Sequence, residues 1–383
     1  MSKTDICILA PVHQYSDIRV FQKEAKTLVE NGYNVTLVAR IDESSVINGI
    51  NIVKVPTFAS RLKRFLYQPS LIKEVLRTKA TIVHLHNPDT IPIGFILKLF
   101  GKKVIYDTHE DFSKRILMRD WIPKPLRKTI ASIIISLEKL AGTFFDKVIV
   151  TQEEVANRIG SNSLLLENAP ITHGELIESA KEISKTILRD PSIFRLVYVG
   201  GVSNTRGLKQ MVEALSIINH SIETRLWLIG PEIEKGSIEA AEKMEGWEYV
   251  DYLGPKPQDE AFAYIIHSDV GLITILDIGD HRQTSPNKIF EYQTFGIPYI
   301  SSDFPKWRNM LESVGSGIFV NPENPQEIAD AALHLARNEE LRKEIGFKGQ
   351  TYIHEQYNWE KESKKLLNLY QALEKLKLKQ TNN

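Results

Sequence analysis

Hydrophobic and polar positions along the chain follow two alternating periodicities. Short apolar runs rich in β-branched residues are separated by stretches in which apolar residues recur every three or four positions. The first pattern predicts a buried strand and the second an amphipathic helix. A regular succession of strand and helix is typical of βαβ units, which build parallel sheets. The sequence therefore predicts an α/β fold with doubly wound parallel sheets.

The first half of the chain contains the first series of strand patterns. These runs are DICILAPV, NVTLVA, INIVKV, ATIVHLH, KKVIYDTH, KVIVTQ and SLLLEN. The clearest helix pattern is DIRVFQKEAKTLVENG, where apolar residues repeat at helical spacing and a glycine marks the end. The residues of this pattern are Ile18, Phe21, Ala25, Leu28 and Gly32. Together these elements predict a first doubly wound domain over residues 1–168.

A second series begins after a gap in the pattern. Residues 169–192 are mainly polar and predict a connector, and residues 193–357 predict a second domain of the same kind. Its strand patterns are FRLVYVGG, TRLWLIG, WEYVDYLG, VGLITIL, IPYISSD and GIFV, and its helix patterns include GLKQMVEALSIIN, PQDEAFAYIIH and NPQEIADAALHLARN. Residues 358–383 predict a final helix. Its apolar stripe consists of Leu366, Leu367, Tyr370, Leu373 and Leu376.

Composition narrows the class of protein. A chain of 383 residues with 42% hydrophobic and 25% charged residues is typical of a globular protein with two domains. The single cysteine, Cys7, excludes an intramolecular disulfide and fits a reducing cytosol. The first strand pattern begins at Asp5, too early for a signal peptide, and no apolar run is long enough to span a bilayer. We therefore expect a cytoplasmic protein.

Charge is distributed unevenly along the chain. Residues 1–168 contain 24 Lys and Arg against 17 Asp and Glu, although the whole chain has no net charge. Two basic segments also carry apolar residues, ASRLKRFLYQPSLIKEVLRTK with Phe65 and RDWIPKPLRKTIASIIISLEKL with Trp121. Such segments either contact an anionic membrane surface peripherally or form core-facing helices with solvated basic faces. We expect no nucleic-acid partner.

The segment TSPNKIFEYQTFGIPYISSD predicts a helix followed by a strand. Thr284 or Ser285 would cap this helix, and Pro286 would be its first residue. A helix N-terminus attracts anions, so Lys288 there suits a phosphate and Glu291, one turn deeper, suits the hydroxyls of a ribose. The alternative is a surface ion pair between Lys288 and Glu291.

The segment YVGGVSNTRGLKQ predicts a strand, a glycine-rich turn and a helix. Gly200 and Gly201 would allow a bound group to approach the backbone, and Arg206 could bind phosphate oxygens. The segment matches neither the dinucleotide nor the P-loop glycine motif, which disfavours those two classes. Alternatively, this turn serves packing only.

Polar residues also follow three strands of the first domain. They are His13, Asp17 and Arg19, then His84 and His86, then His109 and Glu110. Three histidines at one sheet edge make a metal site conceivable, but no cysteine or carboxylate spacing supports it. The chain also lacks a DxD pair, which argues against a carboxylate-held Mn²⁺ or Mg²⁺. We therefore predict no metal.

Taken together, these segments resemble the family 4 glycosyltransferases over nearly the whole chain, and most closely the bacterial members that act on surface polysaccharides. The shared features include DIRVFQKEAKTLVENGYNVTLVA, YVGGVSNTRG, a P-N-K-hydrophobic-F-E-Y segment and YNWEKESKKLLNLYQAL. The resemblance implies a GT-B fold, with two Rossmann-like domains facing a central cleft. The N-terminal domain would bind the acceptor and the C-terminal domain a UDP- or GDP-linked sugar. The last helix would pack back onto the first domain.

The resemblance also implies roles for particular residues. Glu291 corresponds to the second glutamate of the family's E-x7-E pattern, which binds the ribose, whereas Gln283 replaces the first glutamate. Arg206 corresponds to a residue that contacts the diphosphate, while Gly201 replaces an arginine often found there. His109 corresponds to a histidine near the reacting sugar carbon. The nucleobase would contact Tyr252, Leu253 and Gly254.

The predicted site thus has three parts. The catalytic residues are His109, Arg206 and Lys288. The donor-binding residues are Gly200, Gly201, Arg206, Tyr252, Leu253, Gln283, Ser285, Asn287, Lys288 and Glu291. The acceptor-side residues are His13, Asp17, Arg19, His86 and Glu110.

The activity implied is that of a metal-independent, retaining hexosyltransferase with no cofactor besides its donor substrate. Its acceptor would be a lipid-linked glycan of surface polysaccharide synthesis, at the inner face of the plasma membrane. No residue is placed as a covalent nucleophile, which fits a front-face mechanism assisted by the leaving phosphate. Two alternatives remain, an epimerase of the same shape and a non-catalytic protein that binds sugar nucleotides or polysaccharides. Gln283 keeps the second open.

Overall fold

The structure is a computed structural model that describes residues 4–58, 60–117, 119, 122–279 and 281–381. The chain divides into two compact units. The first unit contains the residues up to Asn168 and those from Trp359 onward, and the second unit runs from Ala169 to Asn358.

The first unit is built on an eight-stranded sheet. Its strands are β1 (Asp5–Gln14), β2 (Asn34–Arg40), β3 (Ser45–Ile47), β4 (Ile50–Val55), β5 (Ile82–His86), β6 (Lys103–Thr108), β7 (Lys147–Val150) and β8 (Ser163–Leu165). They lie in the order β3-β4-β2-β1-β5-β6-β7-β8 and are parallel except for β3. Helices on both faces bury the central strands, so these strands read as continuous apolar runs.

The helices of the first unit connect and cover these strands. They are α1 (Lys26–Glu30), which continues a π-helical stretch (Ile18–Ala25), then α2 (Arg61–Leu66), α3 (Gln68–Arg77), α4 (Ile91–Leu99), α5 (Phe112–Leu117), α6 (Lys124–Phe144), α7 (Glu153–Ile159) and the final helix α16 (Trp359–Thr381).

The sequence analysis missed β3, which forms a hairpin with β4. Ile47 pairs with Ile50 across a two-residue turn, and both turn residues, Asn48 and Gly49, have positive φ. An Asn-Gly pair between apolar residues is a strong hairpin signal, because these residues tolerate the left-handed conformation. The three-residue strand is too short for its pattern to be recognised.

The first predicted helix is confirmed, but its buried face differs from the prediction. Ile18 is 38% exposed, whereas Phe21, Ala25 and Leu28 are buried as expected. The helix begins with π-helical geometry, whose wider turn shifts the side chains relative to α-helical spacing. Asp17 caps this turn by accepting a 3.0 Å hydrogen bond from the Val20 N–H.

The final helix packs on the first unit. Leu366, Tyr370 and Leu373 are buried, which confirms most of the predicted stripe, while the side chain of Leu376 lies outside the description. Trp359 Nε1 donates a 3.0 Å hydrogen bond to Thr27 Oγ1 on α1. The C-terminal segment therefore completes the core of the first unit.

The second unit contains a six-stranded, fully parallel sheet. Its strands are β9 (Phe194–Val199), β10 (Thr224–Ile229), β11 (Val250–Gly254), β12 (Val270–Ile273), β13 (Tyr299–Ser302) and β14 (Gly317–Val320), in the order β11-β10-β9-β12-β13-β14. Its helices are α8 (Glu175–Ser184), α9 (Leu208–Asn219), α10 (Ser237–Ala241), α11 (Gln258–Ile266), α12 (Asn287–Thr294), α13 (Pro305–Leu311), α14 (Pro325–Arg337) and α15 (Glu339–Glu355). All six strands were predicted from the sequence.

The segment 169–192 is a part of the second unit rather than a polar connector. Ile177 and Ala180 of α8 are buried in the same core cluster as Phe262 and Ile265 of α11. The ten residues of α8 include three glutamates and a lysine, and polar residues precede and follow the helix, so the pattern of the segment resembles a solvated linker. The position of α8 is therefore determined by its packing against α11 and not by the pattern of its own sequence.

Strand order determines where a ligand can bind in each unit. In the second unit the order changes direction between β9 and β12, and in the first between β1 and β5. At such a switch point the loops after two adjacent parallel strands lead in opposite directions and leave a crevice at the carboxyl edge. The predicted site residues cluster at these two places.

Candidate active site

The loop after β9 approaches Lys288 very closely. A Cβ atom on Gly200 would lie 2.3 Å from Lys288 Cε and 2.7 Å from Nζ, and Gly200 has φ of +141°. Only glycine adopts this conformation without strain and leaves that space for the lysine chain. The glycine turn therefore brings the Lys288 ammonium to the end of β9.

Lys288 lies in a half-buried position without a salt bridge to any residue that the structure describes. Burial lowers its pKa, Arg206 adds to this effect, and the negative charge of Glu291 opposes it. Its Nζ lies 5.9 Å from the centre of the Tyr198 ring. The alternative interpretation, a surface ion pair between Lys288 and Glu291, is therefore not what the structure shows.

Arg206 ends a short 3₁₀ turn between the glycine turn and α9. The next residue, Gly207, has φ of +81°, and a Cβ there would lie 2.0 Å from the Thr274 carbonyl oxygen. This contact fixes the turn against the end of β12. Within the described parts of the chain, the Arg206 guanidinium has neither a hydrogen bond nor an ion pair. Two cations that form no salt bridge with a described carboxylate thus lie near one another at the switch point.

Helix α12 begins at Asn287, and Pro286 occupies the capping position. The predicted cap at Thr284 or Ser285, with Pro286 as the first helical residue, was therefore wrong. Thr284 Oγ1 instead donates a 2.8 Å hydrogen bond to the His281 carbonyl. No described side chain caps this N-terminus. The Asn287 and Ile289 N–H groups donate to the Ser285 and Pro286 carbonyls, and the helix dipole adds positive potential beside Lys288.

The remaining donor-side residues lie around this N-terminus and along the same sheet edge. Ser285, Asn287 and Gln283 are exposed, and Glu291 is half-buried on the first turns of α12. The Gln283 carbonyl accepts a 2.7 Å hydrogen bond from Lys306 Nζ. Their contacts with a ligand stay predictions.

Hydrogen bonds connect the end of β11 to the residue that follows β10. Tyr252 Oη donates a 3.1 Å hydrogen bond to the Gly230 carbonyl, and the Gly230 N–H donates at 2.9 Å to the Gly254 carbonyl. Tyr252, Leu253 and Gly254 are half-buried there. This loop therefore lies at the carboxyl edge predicted to contact a nucleobase.

In the first unit, His13 and Asp17 form a hydrogen-bonded pair at the end of β1. Nδ1 of His13 lies 2.9 Å from Oδ2 of Asp17. Burial raises the pKa of Asp17, but hydrogen bonds from His13 and Val20 outweigh burial and lower it. The ionised carboxylate makes Nδ1 of His13 the donor in this pair.

His109 directly follows β6, and its ring centre lies 5.2 Å from that of His13. Burial lowers the pKa of His109 to about 3, although the nearby Asp107 acts in the opposite direction. The imidazole is therefore neutral at pH 7. Glu110, the next residue, forms an ion pair with Arg115. His13, Asp17 and His109 together offer neutral and anionic hydrogen-bonding groups at one edge.

Two predicted acceptor-side residues lie inside the unit instead. Arg19 is 6% exposed and His86 is fully buried. The Arg19 guanidinium donates to Asp107 Oδ2 at 2.7 Å and lies 3.0 Å from Glu24 Oε1. Direct contact of Arg19 or His86 with an acceptor is therefore a wrong prediction, because neither side chain reaches the surface of the unit.

Sequence reasoning missed Glu24 and Asp107, and it identified Tyr370 only as part of an apolar stripe. Glu24 lies between Phe21 and Leu28 on the apolar side of its helix, and it is fully buried. A carboxylate within a predicted apolar stripe is an informative signal, because burying an unpaired charge is costly.

Two groups of described residues have ligand atoms close enough to hold a metal ion. They are Glu24, His84 and His86, and His86, Asp107 and His109. However, the Arg19 guanidinium already pairs with both carboxylates of these groups. A second cation would be repelled by Arg19 and would compete for its partners, so these residues do not fit a metal site.

Several apolar side chains lie on the surface of the first unit. Leu126, Ile133 and Leu140 are exposed at intervals of seven residues along one face of α6, and Phe65 is exposed on α2. Trp121 lies outside the described residues. Among the helices that the structure describes, none is both long and apolar enough to cross a membrane.

Two family models match the chain, one in each unit. The model of Glycosyltransferase Family 4 matches residues 19–164, and the model of Glycosyl transferases group 1 matches residues 193–338. A curated relative is an uncharacterized glycosyltransferase of Methanocaldococcus jannaschii, which is 22% identical over 236 residues. The match covers 60% of this chain and spans 59% of the length of that relative.

Solved structures share the fold over almost the whole chain. Sucrose-phosphate synthase from Thermosynechococcus elongatus has a TM-score of 0.72 at 17% identity, covering 97% of this chain and 99% of that one. Anabaena Alr3699/HepE in complex with UDP-glucose has a TM-score of 0.69 at 13% identity, with the same coverage of 97% and 99%.

The two units, each a Rossmann-like sheet with a crevice at its switch point, define the GT-B fold. The chain belongs to the group 1 and family 4 glycosyltransferases.

Proposed function

We propose that the protein is a metal-independent, retaining hexosyltransferase that uses a nucleoside-diphosphate sugar as donor. The observation that carries this proposal is the pair of cations Arg206 and Lys288 beside the uncapped N-terminus of α12. Two adjacent positive groups that form no salt bridge with a described carboxylate repel each other, and a diphosphate would relieve this repulsion. In this assignment Glu291 binds the ribose hydroxyls, while Tyr252, Leu253 and Gly254 contact the base.

Stabilisation of the leaving group would be the main catalytic contribution. As the bond between the sugar carbon and the phosphate oxygen breaks, its electron pair moves onto the diphosphate. Preorganised positive groups stabilise such developing charge because they need no reorganisation during the reaction. Arg206, Lys288 and the N-terminus of α12 have this role in the proposal.

The acceptor hydroxyl would attack the same face of the sugar that the diphosphate leaves. Its oxygen forms the new bond to the sugar carbon, and its proton moves to the departing phosphate. His109 and the pair of His13 and Asp17 would orient the acceptor, since a neutral imidazole both donates and accepts hydrogen bonds. We infer UDP as the nucleotide because a protein of this fold has been solved with UDP-glucose.

The acceptor proposed is a lipid-linked glycan at an anionic membrane surface, within surface polysaccharide synthesis. The first two turns of α6 also carry the exposed basic residues Lys124 and Lys128, on the side of the helix away from Leu126. Apolar and basic residues together favour peripheral contact with anionic lipids at the inner face of the plasma membrane. Sedimentation with phosphatidylglycerol vesicles that is weakened by salt and by Ile133→Asp would support this contact, and binding insensitive to both would contradict it.

A product assay tests the transferase directly. Purified protein, UDP-glucose and a bacterial lipid extract should yield UDP and a glycolipid whose new linkage keeps the donor's anomeric configuration. Lys288→Ala should abolish the product, whereas Lys209→Ala, an exposed lysine at the start of α9, should not. Conversion of the donor without an acceptor, or an inverted linkage, would contradict the proposal.

A further inference from the structure

A cluster of fully or almost fully buried polar groups lies inside the first unit, behind His13 and His109. The cluster consists of Arg19 and Glu24 on the π-helical stretch, His84 and His86 on β5, Asp107 on β6 and Tyr370 on α16. The His86 ring centre lies 6.0 Å from that of His13 and 6.4 Å from that of His109. The buried cluster therefore supports the rings assigned to the acceptor side.

Arg19 and Glu24 are central to this cluster. Oε1 of Glu24 lies 3.0 Å from Nε of Arg19, while Oε2 lies 3.1 Å from Nε2 of His86. Asp107 takes the shorter contact with Arg19, at 2.7 Å. Glu24 thus connects the guanidinium on one side with an imidazole on the other.

If both carboxylates of the cluster were ionised and both imidazoles neutral, the cluster would carry a net negative charge, so one of these groups must bind a proton. Two carboxylates surround a single guanidinium, and a net negative charge in this interior would cost several kcal/mol. Burial raises the pKa of Asp107, but the charge of Arg19 and a hydrogen bond from His84 outweigh burial, lower this pKa and hold Asp107 in its charged form. The remaining proton belongs to Glu24, His84 or His86.

The surroundings of these groups favour Glu24 as the site of the proton. Burial and the charge of Asp107 raise the pKa of Glu24 to about 8, against the effect of Arg19. Burial lowers the pKa of His86 to about 4. The charged and titratable groups around this pair are Arg19, His84, Asp107, His13, Asp17 and Tyr370.

We propose that Glu24 is a positioning residue: a neutral carboxylic acid that donates its proton to Nε2 of His86 and fixes His86 in the Nδ1–H tautomer. Oε2 of Glu24 and Nε2 of His86 lie 3.1 Å apart, and neither atom has another hydrogen-bond partner among the described residues. One proton held between them by a carboxylic acid would leave both partners uncharged. His84 lies behind this contact, where its Nδ1 is 2.9 Å from Tyr370 Oη. The effect on catalysis rests on the proposed function, but the protonation state does not.

Nitrogen NMR of the full-length protein labelled with ¹⁵N-histidine tests this proposal without an activity assay. His86 should give the signals of a neutral ring protonated at Nδ1 near pH 7, assigned by their loss in His86→Gln. Glu24→Gln should keep this pattern, because its amide can donate to His86 and accept from Arg19. An imidazolium or an Nε2–H tautomer of His86 in the wild-type protein would overturn the proposal.

A matched variant separates the local effect from a general change of charge. Glu30→Gln removes the same charge from an exposed position on α1, and it should leave the His86 signals unchanged. If Glu24→Gln fails to fold, the wild-type spectrum alone still decides the tautomer. Binding of Zn²⁺ at one equivalent that shifts the His84 and His86 signals would also overturn the proposal, because a metal would then replace the proton.

The pH profile of glycosyl transfer provides the second readout. The wild-type kcat should fall as pH rises above about 8, where Glu24 loses its proton, while KM for the donor stays constant. Glu24→Gln should lack this decline. A decline of equal size in both proteins would overturn the positioning role. Absence of any transfer, with the predicted NMR pattern present, would contradict the proposed function and leave the inference supported.

Discussion

Each unit has an arginine near its switch point, but the two arginines differ in whether a carboxylate pairs with them. Arg206 of the second unit has no carboxylate partner among the described residues, whereas Arg19 of the first unit lies between Asp107 and Glu24. An uncompensated cation at a sheet edge can bind an anionic ligand, whereas a compensated cation in the interior mainly maintains structure. The two arginines share a residue type and a position near a switch point, so what distinguishes them in the structure is whether their charge is paired.

The strongest test of this comparison makes the same substitution in both units. Arg19→Met leaves the buried Asp107 carboxylate without its cation, so it should lower the free energy of unfolding by about 3–5 kcal/mol. Arg206→Met should change it by less than about 0.5 kcal/mol, because no partner is lost. Urea unfolding measures both values. Equal destabilisation by the two variants would show that the distinction is false.

Glu24 gives the next largest effect, through pH. Its pKa is raised in the folded protein from 4.5 to about 8, so the folded state binds the additional proton between these values. Stability from this group is therefore fully present below about pH 4.5 and is lost as pH rises to about 8. Relative to Glu24→Gln, the wild type should lose about 1.4 kcal/mol per pH unit within this range.

Unfolding curves at about pH 5.5, 6.5 and 7.5 measure this difference. Glu30→Gln is the control and should remain parallel to the wild type across the range, because Glu30 is exposed. If the free energy of unfolding of Glu24→Gln also changes with pH in parallel with that of the wild type, then Glu24 is ionised in the folded protein.

Gly200 sharpens the comparison on the donor side. Gly200→Ala places a methyl group where Lys288 lies and strains a residue with φ of +141°. We expect a loss of stability of about 1–2 kcal/mol and at least about tenfold weaker UDP binding. Gly236→Ala, also at positive φ but with open space around its Cβ, should show the strain alone. If Gly200→Ala binds UDP as tightly as the wild type, the assignment of Lys288 to the donor site is contradicted.

The smallest expected effect concerns the contact of the final helix with the buried cluster. Tyr370→Phe removes the hydroxyl that lies 2.9 Å from His84 Nδ1, and it should cost about 1 kcal/mol. Tyr33→Phe, which removes a 3.2 Å bond to Glu374 near the surface, should cost less. Thermal unfolding measures the stability of both variants. A greater loss of stability in Tyr33→Phe than in Tyr370→Phe would contradict the importance of the contact between Tyr370 and His84.

The sequence predicted the fold well because parallel strands are buried on both faces and stand out as apolar runs. It failed at α8, whose place depends on the facing helix α11, and at β3, which is only three residues long. Composition and local pattern do not report such tertiary contacts.

Sequence patterns placed Gly200 and Lys288 correctly relative to each other, because a glycine turn and a helix N-terminus have clear signals. Their role in donor binding stays a prediction. Arg19 and His86 were placed after strands, but their direction into the interior depends on partners from β5, β6 and α16. These long-range pairings could not be derived from spacing along the chain.

Calorimetric titration with UDP tests the central claim most directly. The wild type should bind UDP, and the double variant Arg206→Met, Lys288→Met should bind at least about 100-fold more weakly, since charge-assisted hydrogen bonds contribute about 1.5–3 kcal/mol each. Its thermal stability should stay close to that of the wild type. UDP affinity that is the same in both proteins would contradict the assignment of these cations to the diphosphate.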